Sequence, residues 1–342
     1  MSNKAMSWED RRAFWQRSDV QEFLRGLAHD DPIVRMKYSQ AFAQELEPVI
    51  RKGIMAGDIY SDIFKPDPVE PGQSLDFPIH LLQPGEEDEY VAFTVPRTGE
   101  LPVKHVEGDR VFLQTYWIAN ALQIDLPYVR DARWDVVQAT LELFEDGITK
   151  KLNDDAWHAI LAAAVNRGVY VSDSGASSGV FTRRLISLMR IAMTRLGGGN
   201  LRSRNKFKLT DIFLSLEALE DIRNWSSSEA DDITRSELTR DPEGTIARIY
   251  GVNLHPMSEL GEGQEYQRYF SEVLGGTLPA GDVEICIGMD LTKPNAFKHP
   301  VRQDLKILNN PQAVFANQVE FHGRMEVGFA VLDPRCIIIG TF

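Results

Sequence analysis

The chain has 342 residues, 43% of them apolar, with 50 acids against 37 bases and a formal net charge of -13. That length exceeds the size at which one core stays efficient, so two lobes are expected, and the acidic balance argues against a protein whose main business is gripping nucleic acid. No window approaches the roughly eighteen apolar residues of a membrane span, and the charged start MSNKAMSWEDRRAFW lacks the apolar core of a signal peptide, so a chain kept in the cytosol is expected.

Residues 1–57 read as helix, turn, helix. Ser7 with Asp10 three residues on resembles a capping arrangement, and Asp31 before Pro32 marks a second start. Phe14, Val20, Phe23, Leu24 and Leu27 make one apolar stripe; Val34, Met36, Tyr38, Phe42 and Leu46 make a looser one. Such an arm has too little surface to fold alone and needs a partner surface. From Asp58 to Leu82, Pro66, Pro68, Pro71, Gly72 and Pro78 break up short apolar runs, which fits an extended strap. GEEDE at 85–89 then sets a local negative patch. Strand signals at Tyr90 to Val95 and Val111 to Ile118, joined by a stretch broken by Pro and Gly, read as a long projecting β-hairpin.

Trp134, Val137, Leu141, Phe144, Ile148 and Leu152 follow at steps of three and four. They lay one stripe along a helix of about thirty-five residues, or ~50 Å. After the Gly/Ser loop GVYVSDSGASSG, helical periodicity returns from Phe181 to Leu196 through Leu185, Leu188, Met189 and Ala192, ending at Gly197, Gly198 and Gly199 as C-cap and hinge. Strands are expected at 207–215, 246–254, 283–289, 319–331 and 336–341, with helices at 216–225 and 229–239. This irregular alternation is that of an α+β fold.

Catalytic chemistry has no visible address. The histidines at 29, 80, 105, 158, 255, 299 and 322 show no ligand spacing. GASSG and LGGGN lack the phosphate-loop patterns, and the serines of SDSGAS lack a nucleophile elbow. Cys286 and Cys336 sit in apolar, strand-like runs without CxxC spacing. They read as reduced core residues, the alternative being a disulfide or half a metal site.

Several stretches together resemble the major capsid protein of tailed bacteriophages, the HK97-fold family. DEYVAFTV followed by TYWIANALQIDLPYVRDA is similar to the family's E-loop returning into the spine helix, and ITKKLNDDAWHAIL to the end of that helix. LTDIFLSLEALEDIRNW and EGTIARIYGVNLHPMSEL resemble the axial domain, and VEFHGRMEVGFAVLDPRCIIIGTF the closing strands. The resemblance runs from about Asp58 to Phe342. It implies an N-terminal helical arm at 1–57, a strap at 58–88, an E-loop at 89–118, a spine helix at 119–168, an axial domain at 169–305 and peripheral return strands at 306–342. The implied work is structural, not enzymatic: copies of the chain form hexamers and pentamers of an icosahedral shell around double-stranded DNA, assembled in the host cytoplasm. Other implied partners are a scaffolding protein, a portal, a decoration protein and packaged DNA through weak nonspecific contact, with no membrane and no cofactor. With the chain starting at Met1, no removed pro-segment is expected and the scaffolding protein is a separate chain. The competing readings are an encapsulin-type compartment and a cytosolic α+β enzyme with a site assembled from scattered residues.

Residues 183–208 hold eight bases (Arg183, Arg184, Arg190, Arg195, Arg202, Arg204, Lys206 and Lys208) and no acid. They read as a solvated face, as a contact for DNA phosphates, or as a partner for an acidic segment of a neighbouring subunit. In a shell of identical copies the last is preferred, which pairs Arg202, Arg204 and Lys206 with Glu86, Glu87 and Glu89. Some family members join subunits by an isopeptide bond between a hairpin Lys and a C-terminal Asn, helped by a Glu. The matching positions here are Lys104, Asn317 and Arg324. A cation cannot accept the proton that the reaction releases, so Lys104 is expected as a plain contact residue and no cross-link is expected.

Overall fold

The computed structural model describes residues 17–27, 29, 31–57, 60–70, 72–78, 110–125, 127, 134–196, 207–225, 248–293, 295–310, 313 and 318–342. In chain order the elements are α1 (Ser18–Leu27), α2 (Pro32–Gly57), β1 (Pro66–Pro68), β2 (Asp76–Pro78), β3 (Arg110–Phe112), β4 (Tyr116–Asp125), α3 (Trp134–Arg167), β5 (Tyr170–Ser172), α4 (Arg183–Leu196), β6 (Asp211–Leu214) and α5 (Leu216–Asn224). Then come β7 (Arg248–Ile249), β8 (Val252–Pro256), the short α6 (Glu265–Arg268), β9 (Ile285–Met289), β10 (Phe297–Asn309), β11 (Gln318–Val327), β12 (Ala330–Val331) and β13 (Ile337–Thr341). The described residues fall into two units. One draws on Met1–Leu75, Leu113–Ala156 and Lys298–Phe329, the other on Asp76–Phe112, Trp157–Phe297 and Ala330–Phe342.

The first unit is built on strands in the order β1, β10, β11, β4. β4 and β11 pair antiparallel without a break from Tyr116 opposite Val327 to Asp125 opposite Gln318. Burial alternates along β11, so that Val319, Phe321, Met325 and Val327 point into one face. Two helices cover that face. The Phe42 ring of α2 meets Phe321 edge-on at 5.8 Å, while a Cβ on Gly323 would run into the Phe144 ring of α3 and lie 3.5 Å from Ile148. Glycine at 323 is what lets α3 lie this close. α2 and α3 touch each other where a Cβ on Gly53 would strike the Glu145 carboxylate.

This packing changes the expectation for the arm. Its second helix finds a surface in its own chain: Phe42, Leu46 and Ile50 are buried, Asn309 Nδ2 donates to Ser39 Oγ at 3.2 Å, and Arg51 pairs with Asp304 at 3.1 Å. The helix start is as read, with Asp31 Oδ1 accepting from the Ile33 amide at 2.9 Å. The buried stripe runs through Ser39, Phe42, Ala43, Leu46 and Ile50, whereas Met36, assigned to it from sequence, is 38% exposed. The earlier start at Ser7 and Asp10 lies outside the described residues.

Three boundaries also shift. The spine helix expected over 119–168 begins at Trp134, because β4 continues its ladder with β11 to Asp125. The single hairpin strand at Val111 to Ile118 is two strands, β3 pairing with β2 and β4 with β11; its partner at Tyr90 to Val95 lies outside the described residues. The boundary at 305 falls inside β10, which runs thirteen residues from Phe297 to Asn309 and pairs with β11. That strand escapes a sequence reading because Pro300 interrupts it and its register shifts between Val301 and Gln303 and again before Lys306, which blurs the two-residue alternation.

The second unit holds a mixed six-stranded sheet in the order β5, β13, β9, β6, β8, β7. β6, β9 and β13 are buried along their whole length, as the apolar run IIIGT predicts. α4 packs on them through Met189. A Cβ on Gly340 would stand 2.7 Å from Met189 Sδ, and one on Gly288 2.8 Å from Met189 Cε. Trp157 lies with its ring 4.8 Å from Phe213 and 5.9 Å from Tyr266. Ser215 caps α5, its Oγ accepting from the Ala218 amide at 3.1 Å and donating to Glu284 at 2.7 Å. The helix expected at 229–239 and the hinge at Gly197, Gly198 and Gly199 lie outside the described residues.

Candidate functional site

Glu86, Glu87, Glu89, Lys104, Arg202, Arg204 and Lys206, the contacts named from sequence, all lie outside the described residues, as does Asn317. Arg324 is described. It sits on the open face of β11, between Lys306 and Ala119 in register, with its guanidinium 5.3 Å over the Trp117 ring. Trp117 is itself 52% exposed. The two acids nearest it in sequence are engaged: Glu320 accepts from Asn310 Nδ2 at 2.8 Å and meets His322 Nε2 at 3.0 Å, and Glu326 accepts from Thr115 Oγ1 at 2.6 Å and pairs with Arg302 at 3.4 Å. Both carboxylates are committed to partners of their own.

Two further titratable groups, Asp211 and His299, do packing work. Asp211 accepts from Asn253 Nδ2 and meets His255 Nε2, each at 2.9 Å. Burial alone would raise its carboxyl, but hydrogen bonds from His255, Thr210 and Asn253 outweigh burial and hold it below the usual range. His299 is buried, bonded through Nδ1 to the Gly328 carbonyl at 2.9 Å and stacked flat on Phe329 at 4.2 Å. Burial lowers its pKa, with the Gly328 bond opposing. This ring forms part of the wall of a cleft of about 740 Å³ lined also by Ile54, Tyr60, Val69 and Leu305. A neutral ring committed to a backbone carbonyl and two aromatic neighbours is placed for packing.

Cys286 and Cys336 are free and buried. Burial pushes the Cys286 thiol up to about 12 and raises Cys336 as well, so neither is a nucleophile. Among the described residues, no three of His, Cys, Asp and Glu come together in a way that could hold a metal ion. No described helix is long and apolar enough to cross a membrane.

Of the basic run, Arg183, Arg184, Arg190 and Arg195 lie on α4, and Lys208 lies apart from it, just before β6, with its amide donating to Asp290 Oδ2 at 2.9 Å. Arg184, Arg190 and Arg195 are exposed, and residues 183–196 contain no acid. Arg184 Nη1 is 3.5 Å from Asp173, and Arg190 Nη1 donates to the Tyr250 carbonyl at 3.2 Å.

No family model matches the chain, and no curated protein resembles it in sequence. Solved structures do resemble it. A chain of Microbacterium phage Oxtober96 superposes with a TM-score of 0.55 at 14% identity, covering 83% of this chain and 91% of that one. One from the capsid of the Cyanophage P-SCSP1u gives 0.53 at 15% identity, covering 83% and 88%. One from the capsid of an empty GTA particle gives 0.51 at 14%, covering 84% and 90%. At these identities the likeness is one of fold, and that fold is the α+β, HK97-like one that the sequence resembles.

Proposed function

We propose that this chain is the structural subunit of a phage shell, a non-enzymatic protein whose partners are copies of itself in hexamers and pentamers around double-stranded DNA. The observation that supports this most is extent: likeness to chains of a cyanophage capsid and a GTA capsid spans 83% and 84% of this chain and 88% and 90% of theirs, through both units. The buried thiols, the engaged carboxylates and the packed His299 fit a chain whose work is geometry. In this reading the unit holding β4, β10 and β11 is the peripheral domain and the six-stranded unit the axial domain. A scaffolding protein, a portal and a decoration protein complete the set of partners, assembly takes place in the host cytoplasm, and the virion capsid is the final location.

Contacts between copies are expected to join Glu86, Glu87 and Glu89 to Arg202, Arg204 and Lys206, with Lys104 at the same kind of surface. Exposed pairs contribute about 0 to 1 kcal/mol each, yet their repetition through a shell makes assembly sensitive to salt. Sedimentation tests the reading. The chain should run as capsomers and shells that fall apart on reversing the three acids to Lys and partly return when the three bases are reversed to Glu. A monomer of 38.6 kDa at every concentration would overturn the shell; unchanged assembly in the acid reversal would overturn only the pairing.

A further inference from the structure

We infer that the exposed face of α4 is a docking strip for the phosphodiester backbone of double-stranded DNA; this rests on the shell reading and assigns it a DNA-facing surface. The side of the helix turned away from the sheet presents Arg184, Ser187, Arg190, Ile191, Thr194 and Arg195, while Leu185, Ile186, Met189 and Met193 are buried. Between Arg190 and Arg195 runs a shallow groove of about 400 Å³ lined by both guanidinium side chains, by the hydroxyls of Ser187 and Thr194, and by Ile191. Among the described residues, every polar side chain lining that groove can donate and none is an acid. Two forks and two hydroxyls on one groove suit the tetrahedral, multiply accepting oxygens of a phosphate, and arginine binds them with two parallel bonds where lysine offers a point charge.

The groove is also preset. The bond from Arg190 to the Tyr250 carbonyl fixes that guanidinium at 3.2 Å from a turn in which Tyr250 takes a φ of 50 and is itself 37% exposed. Arg195 has no ion-pair partner among the described residues and is exposed. Asp173 binds Arg184 at the far end of the face, away from the groove, and also accepts from Thr182 Oγ1 at 2.8 Å. In a chain of net charge -13, which repels DNA as a whole, a local strip of this kind is what contact with packaged DNA requires. Phosphate oxygens are the same whatever the bases, so contact is independent of sequence.

Binding of a 30-base-pair duplex to the full-length unassembled chain, followed by anisotropy over a salt series, tests the strip, with assembly scored separately by sedimentation. Arg190→Gln/Arg195→Gln should flatten the slope of log affinity against log salt by about 1.8, at about 0.9 for each phosphate no longer neutralised. Arg195→Gln alone, which breaks no ion pair among the described residues, should flatten it by about half of that. Two duplexes of unrelated sequence should bind alike, and both variants should still form shells. A slope unchanged in both variants overturns the inference. So does a polyglutamate peptide of matched charge that binds as tightly as the duplex, or a variant that loses assembly while keeping its DNA slope, since either makes the strip a site for an acidic segment of a neighbouring copy. If the wild type forms no shells but binds duplex with a salt slope that both variants flatten by these amounts, the shell reading falls and the strip stands.

Discussion

Replacing Phe42 with Ala asks whether the N-terminal arm is seated on its own chain. The ring is fully buried and meets Phe321 edge-on at 5.8 Å. An aromatic side chain buries about 150 to 250 Å², which at about 25 cal/mol per Å² gives roughly 4 to 6 kcal/mol as an upper bound. Buried Phe→Ala changes cost about 3 to 5 kcal/mol, and about 0.5 to 1.5 kcal/mol of that belongs to the edge-on ring pair. With a urea slope of about 2 kcal/mol per molar, a loss of about 4 kcal/mol moves the midpoint of the first unit down by roughly 2 M. The assay is urea unfolding of the unassembled chain, with hydrogen exchange of the β10 and β11 amides reporting on the sheet beneath. A loss under about 1 kcal/mol, far below the usual cost of emptying such a site, would mean that α2 is not seated on this sheet in the free chain and finds its seat only on assembly. Phe321→Ala in the same background should then add less than it costs alone, because the pair has already been broken.

In the second unit, Gly340→Ala places a Cβ 2.6 Å from Cys286 Sγ and 2.7 Å from Met189 Sδ; thermal unfolding should show a loss of roughly 1 to 3 kcal/mol, part of it returned by Met189→Ala. His299 has its pKa depressed by burial, so the unfolded chain takes up a proton first: stability present above the unfolded value of about 6.5 should be lost as pH falls through it, and His299→Gln should flatten that dependence between pH 7.5 and 5.5. Asp211 is likewise depressed, so Asp211→Asn should remove a further loss of stability below about pH 4, seen as a smaller acid shift in the unfolding midpoint. Boiled, denatured particles should run as a single band at 38.6 kDa, because Arg324 over Trp117 offers no base; a ladder of oligomers that disappears in Lys104→Arg would contradict this.

The long helix was legible because Leu141, Phe144, Ile148 and Leu152 repeat at helical spacing and are all buried on a rod of 34 residues. β9 and β13 were legible as short apolar runs. α4 was legible as a helix, though not which side it buries: RRLISLMRIAMTRL carries adjacent apolar stripes, and Leu188 and Ala192, assigned to the buried face, are only half-buried, while Ile186 and Met193 are fully inside. The choice is made by Gly288 and Gly340, distant in sequence, which open the hollow that receives Met189. The seat of α2 was hidden for the same reason, since its partner β10 was itself obscured by Pro300 and two register shifts. The basic strip was visible as a charge run, but not its groove, which needs the helix in place and the Tyr250 turn beside Arg190.

Electron microscopy of particles purified with their nucleic acid tests the central claim most directly. Closed, angular shells with fivefold and sixfold capsomers are expected, into whose walls both units of the chain fit as one copy per position. Uniform small particles with the mass of a single 38.6 kDa chain, under conditions that keep the chain folded and concentrated, would contradict it.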